Sequence, residues 1–288
     1  MNKKHMLSLA SLALISLNAS EFNGYSYFGV ASMKSTYQEL YTFTKTQSDD
    51  IVAGDSVKME SIATSPVYTS GSIIKINDYF DFSMDFLSTL KPDAVDESWI
   101  NETQNRIVQN NNSDAMYSGM VFLLQYKITP KHRLVGGLDY RLNSFKRYNF
   151  EIDSTTSGSV YGVIEERSST LMGSFGYWFE STTAAKNDTR FMANIIYGKP
   201  VYQSVQNTSA SGEINMDNES GYNYDMTAYA GYTIFDGVEI GAYTSYSFMK
   251  RDGQKIPNPQ DPSQMIVWPK NETELVSVGL KIIWNFNQ

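Results

Sequence analysis

Period-two alternation of apolar and polar residues is the dominant pattern along this chain. Successive side chains of an extended strand point to opposite faces, so a strand with one greasy and one wet side reads as strict alternation. Phe80, Phe82, Met84 and Phe86 alternate with Asp81, Ser83 and Asp85. The final segment puts Val276, Val278, Leu280, Ile282, Trp284 and Phe286 on one face and Ser277, Gly279, Lys281 and Asn285 on the other. The same alternation places Leu134, Leu138, Tyr140 and Leu142 opposite Arg133, Asp139 and Arg141, and Phe191, Ala193, Ile195 and Tyr197 opposite Arg190 and Asn194. It recurs at Leu171, Phe175, Tyr177 and Phe179, and less cleanly over 22–33, 70–76, 116–126, 222–233 and 238–248. These segments predict about ten strands.

The lengths of the connections choose the architecture. Short links at 77–79, 127–132, 181–188 and 235–237 alternate with long polar ones at 34–69, 88–115, 143–169, 198–221 and 249–273. A soluble sandwich has no reason to keep all its long loops at one end. A transmembrane antiparallel up-and-down β-barrel does, with tight periplasmic turns and long outer loops. The even strand count then brings both termini to the periplasmic side. Aromatics support this reading, because interfacial rings belong at strand ends. Tyr79, Phe80, Tyr126, Tyr177, Phe179, Trp284 and Phe286 form the expected girdle beside the short turns, and Tyr117, Tyr197, Tyr222, Tyr224, Tyr246 and Phe248 lie near the long loops.

Residues 1–19 carry Lys3 and Lys4, an apolar run from Leu7 to Leu17 and a small residue at Ala19, the layout of a cleaved secretory signal. The run is shorter than the ~20 residues of a spanning helix. Residues 20–288 are then one barrel domain. Cysteine is absent, which removes disulfides, thiolate metal sites and cysteine nucleophiles. The net charge of −8 argues against nucleic acid as a partner, and 20 tyrosines with 15 phenylalanines suit a membrane interface.

Over nearly its whole length the pattern resembles bacterial outer-membrane β-barrel proteins, and Leu280 to Phe286 resembles the terminal strand recognised by the barrel-assembly machinery. Asn287 and Gln288 follow the last aromatic, where that pattern normally ends. The resemblance implies export through the signal, an outer-membrane location, and lipid and the assembly machinery as partners.

With the apolar faces on lipid, the opposite faces line a lumen holding Lys75, Asp81, Asp85, Arg133, Asp139, Arg141, Arg190, Asp225, Glu239 and Lys281. Turning an Arg or Lys to mid-bilayer lipid costs ~2–4 kcal/mol, which fixes this register. Ten strands lie between barrels filled by side chains and barrels wide enough for a pore. The charges are therefore either a narrow channel's constriction for small solutes or a packed plug, and both readings stay open. A third reading places the activity in the long loops, as in an adhesin or ligand-binding protein.

Catalysis finds little support in the residues. The omptin proteases share a ten-stranded plan but rely on a histidine with aspartates at the outer rim. Here the mature chain's one histidine, His132, falls in a periplasmic turn. An outer-membrane hydrolase is thus a minor alternative, and the expectation is a protein without enzymatic activity. The clusters Asp49, Asp50 and Asp55, and Asp93, Asp96 and Glu97, lack the spacing of a calcium loop, so neither metal nor cofactor is expected.

Overall fold

On the sixth strand the alternation seen in sequence becomes a wall with two environments. Leu134, Leu138 and Leu142 point outward and stay 51%, 49% and 37% exposed, while Arg133, Asp139 and Arg147 point inward and are buried. That inversion of the usual soluble pattern is what a hydrocarbon surroundings demands. The structure, a computed structural model, describes residues 23–42, 53–152, 162–181, 188–209, 212–217, 220–257 and 265–286. The expected signal segment, 1–19, lies outside the described residues, as do Asp49 and Asp50.

The described strands are β1 (Gly24–Thr42), β2 (Ser56–Lys75), β3 (Phe80–Thr89), β4 (Asp93–Asn101), β5 (Arg106–Lys127), β6 (His132–Ile152) and β7 (Val163–Glu180), followed by β8 (Thr189–Ser209), β9 (Gly212–Asp217), β10 (Tyr222–Phe235), β11 (Val238–Arg251), β12 (Gln254–Pro257), β13 (Met265–Trp268) and β14 (Lys270–Phe286). Hydrogen-bonded neighbours follow the ring β1, β14, β11, β10, β8, β7, β6, β5, β3, β2, and β2 pairs back to β1. This is a closed antiparallel barrel of ten wall strands, so no edge is left to satisfy in lipid. Two wall positions are each shared by a pair of strands. β4 continues β3 between β2 and β5 after a break containing Pro92, and β9 continues β10 along β8. β12 and β13 form a separate outer hairpin.

Each expected strand is present, but the long loops are not loops. β1 runs on to Thr42 and β2 begins at Ser56, and most of 88–115, 143–169 and 198–221 is likewise strand. The apolar outer belt is shorter than the wall. On β6 it ends at Leu142, after which Ser144 and Lys146 face outward, and on β14 Val276 gives way to Glu274 and Glu272. From Leu134 to Leu142 the belt covers about 20 Å along the membrane normal, at ~3.3 Å per residue and a tilt near 40°. Beyond it the wall projects into water. There the outward face is largely polar and the inward face mixes charges with apolar residues such as Tyr37, Met59 and Phe145, which hid the alternation from a search for greasy sides.

At the opposite edge, beside the short turns, lie the aromatics expected as a girdle. Tyr79, Phe80, Tyr126, Tyr177, Phe179, Trp284 and Phe286 all lie at the periplasmic strand ends, with Phe80 against Tyr126 at 5.5 Å between ring centroids. His132 opens β6 among them, its Nδ1 on the Tyr177 hydroxyl and its ring 5.4 Å from that of Phe179.

Candidate functional site

The lumen is stacked in tiers. Nearest the periplasm, alternate charges form one chain across six strands: Lys127 to Asp81 (2.6 Å), Asp81 to Arg133 (3.4 Å), Arg133 to Glu180 (2.6 Å), Glu180 to Arg190 (3.2 Å) and Arg190 to Glu239 (3.1 Å). Arg190 also covers the Tyr25 ring at 4.6 Å. Three cations matched to three carboxylates are tolerable out of water because every charge in the chain lies against an opposite one. Below them a bowl of about 900 Å³ opens at the periplasmic rim. Lys75, expected in the lumen, sits on that rim and pairs with Asp78 in the turn, because β2 ends there.

Directly above the ionic chain lies a layer of buried side chains: Tyr25, Tyr27, Ile73, Leu123, Val135, Trp178, Ile196, Tyr229, Tyr243 and Ile283. Nine of the ten wall strands contribute to it. The layer is a diaphragm across the barrel. Small residues let the large ones lie flat. A Cβ on Gly71 would strike the Tyr27 ring, and one on Gly231 would strike the Tyr229 hydroxyl.

The middle tier holds the remaining expected charges. Arg141 grips Asp139 (2.7 Å) and Asp225 (2.9 Å), and Tyr27 donates to Asp85. Lys281 rests between the Tyr27 and Tyr243 rings at 4.3 and 4.5 Å, a cation–π arrangement. Asp85, Arg141, Asp225 and Lys281 border a cavity of about 130 Å³.

The outer tier was not among the expected site residues. Above the lipid belt, Arg147 meets Glu39 (2.7 Å), Glu97 (2.8 Å) and Glu166 (3.5 Å), with its guanidinium 5.5 Å from the centre of the Trp99 ring. Tyr37 donates to Glu39, and Asn111 to Glu97. Burial pushes the Glu166 carboxyl up to about 8; the Arg147 charge opposes this and Glu39 reinforces it. The three carboxylates hold Arg147 firmly protonated against its own burial. The only signal in the sequence was parity. Arg147 lies an even number of residues from Arg133 and Arg141, so it shares their inward face once β6 is known to continue. Of the described members of the acidic clusters, Asp55 accepts from Asn101 and Gln104, and Glu97 from Arg147. Among the described residues no group of side chains has metal-binding geometry.

No family model matches this sequence, and no curated protein matches it. Solved structures do. The crystal structure of the outer membrane protease OmpT from Escherichia coli aligns with a TM-score of 0.72 and 10% identity, over 92% of this chain and 98% of that one. The transport unit of the autotransporter AIDA-I from Escherichia coli (TM-score 0.41, 12% identity, 98% of this chain and 97% of that one) and OprG from Pseudomonas aeruginosa (TM-score 0.37, 9% identity, 93% and 99%) are more remote. The fold is that of the bacterial outer-membrane β-barrels. The likeness to a protease also corrects the expectation of a protein without enzymatic activity. That exclusion rested on the position of His132, whereas this barrel shape is one on which a protease is built, so the architecture gives no ground for it.

Proposed function

We propose that this chain is an outer-membrane protein that does not conduct solutes and that meets its ligand at the outer end, on the strand-built projection above the lipid belt. The observation that carries the reading is the diaphragm: buried side chains from nine of ten wall strands cross the lumen, with a matched ionic chain beneath them. A narrow channel would need an unbroken file of water past Leu123 and Ile283, and both are 0% exposed. The projection supplies the second support. Ionisable groups at Arg147, Glu39, Glu97 and Glu166 are buried there outside the membrane, a costly arrangement that keeps four strands in fixed relation.

Planar-bilayer recording of the refolded protein tests this directly. The expected trace is flat at applied voltages of either sign. A reproducible ohmic step would overturn the reading and restore the narrow channel for small solutes.

A further inference from the structure

The mid-barrel cavity is bounded unequally. On its periplasmic side stands the diaphragm, with side chains from nine of the ten wall strands. On its outer side the apolar cluster of Met33, Tyr37, Met59, Val67, Ala115, Tyr117 and Phe145 is drawn only from β1, β2, β5 and β6. The opposite wall adds only Leu275 to that cluster and is otherwise mostly polar at this height, and the cavity climbs it through Thr227 and Asp225 on β10 and through Ser245 and Ser247 on β11, with Tyr246 beside them. The space is therefore a pocket blind toward the periplasm and directed toward the outer end.

Its walls hold unmet hydrogen-bonding capacity. Trp178 and Tyr243 are 6% and 4% exposed, and both line the cavity. Neither the Trp178 Nε1 nor the Tyr243 hydroxyl has a hydrogen-bond partner among the described residues, and the same is true of Asn194 Oδ1, also in the lining. A buried polar group left so costs ~1–3 kcal/mol, so three of them around one cavity point to an occupant. The indole N–H only donates and the amide oxygen only accepts, so that occupant must offer both an acceptor and a donor.

Charge narrows the class further. An anion entering here would face Asp85 and Asp225, and a cation would face Arg141 and Lys281. A neutral molecule meets neither penalty. Tyrosine faces at Tyr27, Tyr229 and Tyr243 suit C–H groups between the hydroxyls. At ~10–15 Å³ per water-sized sphere, the volume admits about ten such spheres, enough for a molecule of glycerol size.

We propose that this pocket binds a small neutral polyol, admitted from the outer end. The proposal deepens the reading of a barrel closed toward the periplasm and rests on it.

The test uses Trp178 as reporter. In a variant with Trp99, Trp268 and Trp284 replaced by Phe, refolded in a detergent without sugar headgroups, emission is followed while glycerol or erythritol is added. The expected result is a saturable shift, with at least fivefold weaker apparent affinity in Tyr243→Phe and none in Thr227→Leu, which fills the pocket. If the triple variant does not refold, the indole ¹⁵N–¹H resonance of Trp178 in the unmodified protein, assigned by its loss in Trp178→Phe, serves instead. A response linear in polyol and identical in all variants would overturn the proposal and leave water as the occupant. Bilayer recording on the same preparation separates the two readings: a conductance step with a saturable shift sinks only the closed barrel, and a flat trace with a linear response sinks only the pocket.

Discussion

Replacing Arg147 by Met tests whether the outer projection is held by buried charge. The substitution keeps most of the side-chain bulk against Trp99 and Phe145 but withdraws the guanidinium shared by Glu39, Glu97 and Glu166. These carboxylates are 3%, 0% and 2% exposed, so water cannot replace what they lose. Breaking a buried ion pair from one side costs ~3–5 kcal/mol. Glu166 contributes little to that loss near neutrality, because with its carboxyl raised to about 8 it already holds a proton. The loss comes from Glu39 and Glu97, so we expect about 3–5 kcal/mol at pH 7.5. The sign with pH follows. A carboxyl raised in the folded state favours folding fully below its unfolded value, ~4.3, and that contribution is lost as pH rises toward 8. The native barrel should thus lose stability between pH 4.5 and 8 at this site, and the variant, with more carboxylates able to take up protons, should recover most of its deficit by pH 5. Reversible urea unfolding in lipid vesicles, followed by tryptophan emission, measures both. A deficit below 1 kcal/mol, or one that does not change with pH, would refute the argument that these charges are dry.

Two further substitutions probe the diaphragm and the belt. Gly231→Ala drives a methyl into the Tyr229 hydroxyl and the Glu239 carboxylate, and we expect a loss of ~1–3 kcal/mol, whereas a Cβ on the outward Gly136 meets only the Ser174 carbonyl at 3.7 Å and should be tolerated; equal unfolding midpoints would contradict the packed layer. Leu138→Arg, in the middle of the outward belt, should cost ~2–4 kcal/mol in vesicles, and the same change at Ser144, beyond the belt, about 0–1 kcal/mol; a reversed order would mean that the bilayer lies elsewhere on the wall.

Much of this molecule was legible in the residues because lipid imposes a coarse rule. Phe80, Phe82, Met84 and Phe86 had to share a face, and nothing but an extended segment lets them. The same rule read the inward charges, from Asp81 to Lys281, with Lys75 displaced to the rim by the end of β2. Where the wall leaves the membrane the rule lapses. Glu165, Glu166 and Arg167 look like a solvated loop, yet Glu166 points inward to Arg147 while its neighbours face water. The diaphragm was equally hidden, since Tyr25, Leu123, Trp178 and Ile283 lie far apart along the chain and meet only when the ring closes. The exclusion of catalysis failed for a different reason: the position of one histidine says nothing of the rest of the barrel, and a protease is built on this fold.

The seam of the barrel runs from Gly24 beside Phe286 to Leu40 beside Lys270, joining the first wall strand to the last. Every tier inside depends on that union, because Tyr27 and Lys281 reach each other across it and Glu39 reaches Arg147 only when β1 is in place. A chain interrupted before β14 therefore forfeits both its lining and its perimeter, and presents two raw backbone margins to the bilayer. A finished cylinder has no margin, and anything less has two.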